Sequence, residues 1–361
     1  VTTWKIVKLP SPLNSYRFAV AVVVTAALLP GLSACNRKGR RGLEINYVSA
    51  AQASLRDRVA TVYNHVGTVK NGERVEVLER EKRFSRVRTA GGFEGWIEQR
   101  YLVDQQTYDA LQKLTQENLN DPVQSPGVLR NETNLHITPS REAEHLYQLT
   151  AGARVSVLKR ATAERQAGTV SEAARVDKRA SMRASGGRAP SGPVLEDWWL
   201  VRDSENRVGW VLARMVDLDV PLDIAQYAEG QRIVAFFSLN QVQDAGKDGT
   251  GKQVSQYLCA VTEPHDGLPY DYDQIRVFTW NVKKHRYETA YREHGLNGVL
   301  PVTVSTEDFE KEGALPVFIL RVKDDSGNVS ERKYKLNTPI VRRVLAPGEQ
   351  KQAPPRTTHR R

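Results

Sequence analysis

From Tyr47 to Leu102 short apolar runs alternate with polar positions and are separated by turn residues. The runs are Leu55, Val66 to Val69, then Val75, Val77 and Leu78 after Gly72, Phe84 with Val87, Gly95-Trp96-Ile97, and Tyr101-Leu102. Short alternating runs at this spacing predict a small antiparallel β unit. The pattern then recurs. Adding 80 carries Leu55 onto Leu135, Gly72 onto Gly152, Val75 onto Val155, Val77 onto Val157 and Leu78 onto Leu158. Adding 114 carries Phe84 onto Trp198, Val87 onto Val201, Arg88 onto Arg202, Gly95 onto Gly209, Trp96 onto Trp210 and Ile97 onto Val211. The 34-residue difference marks an insertion, 161–195, rich in Ala, Arg, Ser and Gly and without an apolar period, which reads as a disordered loop. Widening one turn to that length costs on the order of 1–2 kcal/mol of closure entropy, which a small barrel tolerates.

Between the copies, 105–126 reads as a linker helix. Tyr108, Leu111, Thr115 and Leu119 share one face, Asp104 is placed to cap it, and Pro122 and Pro126 end it. After Val216 a third pattern begins and fills 219–345. Its runs are Arg232 to Leu239, Val254 to Thr262, Ile275 to Asn281, Tyr287 to Tyr291, Val299 to Val304, Val317 to Val322 and Val329 to Leu336. Strand candidates at this spacing predict a β-sandwich or an open barrel, with a hairpin at Asp324 to Asn328 and one helical turn over Thr306 to Glu312. The expected fold is all-β: one small barrel over 46–104, a second over 127–218 and a larger β domain.

The amino-terminal segment follows a different rule. Lys5, Lys8 and Arg17 precede an apolar run from Phe18 to Leu32. The run is shorter than the roughly 20 residues that cross a hydrocarbon core. It ends in Leu32-Ser33-Ala34-Cys35, which resembles the lipobox of bacterial lipoproteins. The resemblance implies a signal peptide over 1–34, cleavage before Cys35, a diacylglycerol on the Cys35 thiol and an acylated new amino terminus. Such a chain is membrane-anchored in the cell envelope. Asn36, where a retention signal would carry Asp, is compatible by the same resemblance with the outer membrane of a Gram-negative cell. With Cys35 lipidated, Cys259 is the only other cysteine, so no internal disulfide forms. Cys259 lies in an apolar strand-like run and reads as a buried, inert thiol.

The net charge of +10 suggests a nucleic-acid partner until its location is considered. The basic residues concentrate in the leader, in a spacer over 35–45 (Arg37, Lys38, Arg40, Arg41), in the insertion and in a tail over 346–361. The folded parts are left mildly acidic. That distribution argues against a nucleic-acid groove and for anionic membrane or wall surfaces, or plain solvated linkers.

The two copies resemble bacterial SH3 domains. The resemblance rests on Leu55-Arg56, on Gly72 with Val75, Val77 and Leu78, on Phe84 to Arg88, and on Gly95-Trp96-Ile97. In the second copy it rests on Trp198 to Arg202 and Gly209-Trp210-Val211. Phe84 stands where the family usually has Trp, and His136 stands where the first copy has Arg56. The resemblance implies ligand recognition by Phe84, Trp96, Tyr101, Trp198, Trp199 and Trp210. Trp96 and Trp210 also suit core packing, each following a strand Gly that permits close approach. Trp198 and Trp199 are adjacent, so one is expected to face inward and the other outward unless a neighbouring domain covers it.

In the third unit, His265, Asp266, Asp271, Asp273, His285, Glu288 and His294 are the available acid/base or metal groups, but their spacing follows no metal pattern, so no cofactor or metal is expected. Gly246 to Lys252 has a phosphate-loop skeleton, but Gln253 replaces the hydroxyl residue and a strand-like run follows, so a hairpin loop is expected. Cys259 lacks the setting of a peptidase nucleophile. The sequence reads as a non-enzymatic envelope lipoprotein that binds peptidoglycan peptides or an envelope protein. Alternative readings are a cell-wall hydrolase with its site in 219–345, or a structural subunit of an envelope complex.

Overall fold

The computed structural model describes residues 44–165, 193–246 and 251–345. The leader, Cys35, most of the spacer, 166–192 of the insertion, the core of the Gly246–Lys252 motif and the tail lie outside the described residues. The described chain is all-β, with three seven-stranded antiparallel sheets. Among the described residues no helix is long and apolar enough to cross a membrane.

The first sheet holds β1 (Glu44–Val48), β2 (Gln52–Arg56), β3 (His65–Lys70), β4 (Arg74–Glu81), β5 (Phe84–Thr89), β6 (Glu94–Glu98) and β7 (Leu102–Asp104), in the order β3-β2-β6-β5-β4-β1-β7. The second holds β8 (Ser125–Leu129), β9 (Thr133–His136), β10 (His145–Leu149), β11 (Arg154–Glu164), β12 (Leu195–Asp203), β13 (Val208–Leu212) and β14 (Val216–Leu218). Its order, β10-β9-β13-β12-β11-β8-β14, repeats the first strand for strand. The sequence offsets are reproduced in space. Leu55 and Leu135 are both fully buried, and Gly72 and Gly152 both turn with φ near +78° (77° and 78°). Two boundaries differ from the sequence reading. Strand pairing begins at Glu44, inside the expected spacer, and β11 and β12 extend into the expected insertion, pairing from Ala161↔Trp198 to Glu164↔Leu195.

Helix α1 (Gln105–Glu117) joins the two sheets, and Asp104 caps it by accepting a hydrogen bond from Thr107 N at 2.8 Å. Tyr108 stacks on Tyr47 of β1 with centroids 4.0 Å apart, and Leu111 packs with Tyr47 and Leu146 of β10. Leu114 lies against Leu158, Leu200, Val208 and Trp210 of the second sheet. The equivalent outer face of the first sheet carries Arg86, Arg88 and Glu94, joined by ion pairs at 2.9 and 2.8 Å. One strand pattern therefore has an apolar outer face where the helix covers it and a charged one where water does. The Asn71 amide adds a direct tie, donating to Leu146 O at 2.7 Å and to Ser49 O at 2.9 Å.

The third sheet contains β15 (Arg232–Asp244), β16 (Lys252–Thr262), β17 (Tyr272–Asn281), β18 (Arg286–Asp308), β19 (Ala314–Lys323), β20 (Val329–Asn337) and β21 (Ile340–Val344), in consecutive order. It is a single sheet, not a two-layer sandwich, and it curls so that β15 approaches β18 and β19. The runs Tyr287–Tyr291 and Val299–Val304, expected as separate strands, belong to one 23-residue strand. Gly298 is where it changes partner, pairing with Tyr272 of β17 on one side and Val322 of β19 on the other. The Tyr272 ring lies where a Gly298 Cβ would be, 2.1 Å from Cε2. The expected helical turn after Thr306 is extended chain as far as Asp308, because Thr306 to Asp308 pair with Pro316 to Ala314.

The cores of the second and third sheets are continuous, from Leu129, Val157 and Trp199 to Ile275, Phe318 and Leu336. Gln124, fully buried, sits at their junction. Its Oε1 accepts from Val302 N at 2.7 Å and its Nε2 donates to Val302 O at 3.2 Å. This occurs where the β18–β19 register shifts between Val299 and Thr303, so the side-chain amide supplies the bonds that the ladder omits. Arg160 crosses the same junction, donating to Asp197 Oδ1 at 2.6 Å, Tyr270 O at 2.8 Å and Asp271 Oδ1 at 3.2 Å. Asp197 also accepts from Arg232 at 2.8 Å and Gly267 N at 3.1 Å. Burial raises the Asp197 carboxyl, but these donors together hold it below the usual range. Burial prevails at Asp271 and raises it.

Candidate ligand groove on the first sheet

Arg56 is the last residue of β2 and pairs with Trp96 of β6, which pairs with Arg86 of β5. Strand alternation turns Leu55, Val87 and Ile97 into the core and leaves this row on the outer face. The eight residues after Arg56 form a loop stapled at its base. Asp57 N donates to Asn64 O at 3.1 Å, and the Asp57 carboxylate accepts from Asn64 N at 2.8 Å and Nδ2 at 3.0 Å. The Arg58 guanidinium beside Asp57, with those Asn64 donors, holds its carboxyl well below the usual range. The staple returns Tyr63 onto Arg56, whose guanidinium lies 4.2 Å from the Tyr63 centroid and 5.1 Å from that of Phe84. Glu98 meets Arg56 at 3.5 Å and Arg100 at 2.8 Å.

Between this loop and the β4–β5 turn lies a groove of about 480 Å³, lined by Arg56, Val59, Ala60, Thr61, Lys82, Arg83 and Phe84. Its lining carries three cations and no carboxylate. Neither the Lys82 nor the Arg83 side chain forms an ion pair among the described residues. The groove combines an aromatic-clamped guanidinium, small apolar positions and two mobile-chain cations, a surface suited to a short chain that carries negative charge.

The six aromatic residues expected to bind ligand do not converge. Phe84 is buried and presents its ring to Arg56 at the groove wall. Trp96 is half-buried beside Arg56 on the same face. Tyr101 packs against the first core, its hydroxyl accepting from Arg100 at 2.8 Å, and does not line the groove. Trp198 and Trp199 are 2 % and 4 % exposed, so neither presents a face to a ligand. Trp199 lies in the core shared with the third sheet, and Trp198 stands edge-on to His136 at 5.5 Å. Trp210 is half-buried near Leu114. Tyr63, Lys82 and Arg83 were not singled out by sequence. Their signal was a loop of fixed length after Arg56 and a Lys-Arg turn just before Phe84.

At the matching place in the second sheet the groove is closed. By the two offsets Thr61 corresponds to Arg141, Lys82 to Glu196 and Arg83 to Asp197. Arg141 binds Glu196 through two hydrogen bonds, at 2.8 and 2.5 Å, fastening loop to strand. The hydrogen bond from Arg141 lowers the Glu196 carboxyl against the opposing effect of burial. His136 takes the place of Arg56, with Nδ1 3.0 Å from Ala143 O and its ring 5.4 Å from that of His145. Burial lowers His136, and burial plus the His136 charge lowers His145.

Most of the acid/base groups of the third sheet are engaged in separate pairs. His265 meets Glu263 at 2.9 Å in an exposed loop, and Asp266 pairs with Arg232. Asp271 belongs to the Arg160 junction. His285, at a hairpin tip, contacts Asp244 at 2.9 Å, and Glu288 pairs with Lys284. His294 faces Gln274 on β17. Asp273 keeps a buried, unpartnered Oδ1, and burial raises its carboxyl, with the nearby Glu263 charge adding to the rise and His294 opposing it. Cys259 is fully buried, and burial pushes its thiol up to about 12, far from a nucleophile's range. Among the described residues no three metal-ligating side chains stand together.

No curated protein matches the chain. Among solved structures, a NlpC/P60 family protein from Bacillus cereus is 10% identical, covering 68% of this chain and 93% of its own, with a TM-score of 0.22. NlpC2 from Trichomonas vaginalis is 9% identical, covering 68% of this chain and 91% of its own, with a TM-score of 0.16. Scores this low carry no argument about fold or activity. A family model does match the sheet that holds the groove: residues 52–103 form a bacterial SH3 domain.

Proposed function

We propose that the chain is a non-enzymatic, lipid-anchored protein of a bacterial envelope that binds peptide components of the cell wall through the groove of its first sheet. The observation that carries this reading is the open groove lined by Arg56, Lys82, Arg83 and Phe84, with the Tyr63 ring against Arg56, within the region that matches a bacterial SH3 domain. The second sheet is a second SH3-like copy that has exchanged its groove for docking surfaces, in line with its repeated strand order and its Arg141–Glu196 tie. The third sheet, whose core runs into that copy, is a scaffold. The lipobox at Cys35 supplies the tether, so a weak groove works at high local concentration. The dispersal of His265, His285 and His294 and the burial of Cys259 support the absence of a hydrolytic site.

The test is co-sedimentation of the full chain with purified peptidoglycan sacculi, at low salt and at about 0.5 M salt, where screening shortens to a few ångström. Retention that persists in part at high salt and falls with Tyr63→Ser supports the reading. Retention that vanishes with salt and ignores Tyr63 assigns binding to the basic linkers and contradicts it.

A further inference from the structure

The two sheets differ at the groove in a way that specifies a ligand chemistry. In the second sheet a carboxylate, Glu196, is 9 % exposed and bridges strand and loop by binding Arg141. In the first sheet the positions of Arg141 and Glu196 are Thr61 and Lys82, and that of Asp197 is Arg83. The two acids at this place in the closed copy, Glu196 and Asp197, are thus replaced by Lys82 and Arg83 in the open one. Arg56 faces the same space, its guanidinium near the Tyr63 and Phe84 rings and 3.5 Å from Glu98. The loop and turn remain on either side of about 480 Å³, with positive charge on both the Arg56 and the Lys82 walls.

We infer that the first-sheet groove takes a carboxylate group of a wall peptide, seated between Arg56 and the Lys82-Arg83 turn, where it performs the bridging that Glu196 performs internally in the second copy. A carboxylate matches the planar donor fork of a guanidinium, and the rings clamping Arg56 fix that fork in advance. Val59, Ala60 and Thr61 leave room for small side chains beside it. The inference rests on the wall-binding reading above and narrows it to one chemical group.

The experiment compares retention of the full chain on three preparations of sacculi: untreated, with peptide carboxylates converted to amides, and with phosphate polymers stripped. Wild type is compared with Lys82→Glu/Arg83→Glu and with Lys113→Glu on the exposed face of α1, and circular dichroism checks that each is folded. Amidation and the groove variant are each expected to lower retention at least tenfold, and stripping and Lys113→Glu to leave it unchanged. Retention that is indifferent to amidation, or that is lost on stripping, overturns the carboxylate assignment while leaving wall binding intact. If untreated sacculi retain nothing, the wall-binding reading fails instead. The groove is then probed by NMR titration with a free glutamate-containing peptide. Shifts at Arg56, Lys82 and Arg83 sustain the carboxylate site, and their absence overturns it.

Discussion

At Gly95 and Gly209 one methyl group is enough to disturb a whole sheet. A Cβ on Gly95 would fall 2.7 Å from Leu55 Cβ, and one on Gly209 would fall 2.6 Å from Leu135 Cβ. Neither glycine has a left-handed φ, so close approach, not conformation, is what requires it. The approach lets Leu55 and Leu135 enter their cores fully, which stabilises by about 1.5–3 kcal/mol each. Gly209→Ala should destabilise by about 1–3 kcal/mol through overpacking, read as a lower urea midpoint. A change below about 0.5 kcal/mol, within ordinary surface-substitution scatter, would contradict the close approach of β13 to β9.

The strands of the two copies were legible from two sequence offsets, because period-two alternation, a turn glycine and a close-approach glycine are local signals. Leu55 with Leu135 and Gly95 with Gly209 carry them. What alternation does not encode is what lies on the other side of a strand. Trp198 and Trp199 look alike in sequence, and both are buried because one is in the shared core and the other is against His136. The joining of two runs into β18 was hidden by Gly295, Gly298 and Pro301, which read as a break but accommodate a change of partner. Of the groove, Phe84 and Trp96 were legible as aromatic residues, whereas Tyr63, Lys82 and Arg83 depend on how a loop folds back.

The His136–His145 pair gives the β9–β10 element its own pH dependence. An unfolded histidine titrates near about 6.5, and both are held lower here, chiefly by burial. The unfolded chain therefore binds protons first as pH falls. The stability that the pair contributes is full above about pH 6.5 and is lost as pH drops below it through the depressed folded values. A urea midpoint series from about pH 8 to 5 should decline on the acid side, and His136→Asn should flatten the decline. An equal slope in both proteins would contradict the burial of the pair.

Across the whole molecule, the second and third sheets act as one body. The Gln124 amide completes the backbone bonds of Val302, and Arg160 and Asp197 are 3 % and 1 % exposed where the sheets meet. Gln124→Leu leaves a buried N–H and C=O unpaired and should cost about 2–4 kcal/mol. Arg160→Met removes the buried guanidinium shared by Asp197 and Asp271, leaving Arg232 as the cation on Asp197, and should cost about 3–5 kcal/mol. Both should shift a single cooperative transition reported alike by Trp198 or Trp199 in the second sheet and Trp280 in the third. Two separated transitions would contradict the shared core.

On the proposed reading the first sheet meets the ligand, and its groove can be closed by copying the second sheet. Thr61→Arg with Lys82→Glu installs the Arg141–Glu196 tie at the matching positions, and Arg141→Thr with Glu196→Lys removes it from the second sheet. The decisive measurement is retention on sacculi of these two double variants beside wild type. The installed tie should abolish retention while leaving the urea midpoint unchanged or higher, and its removal from the second sheet should leave retention at or above the wild-type level. Undiminished retention in the variant carrying the installed tie would contradict the assignment of ligand binding to the first-sheet groove.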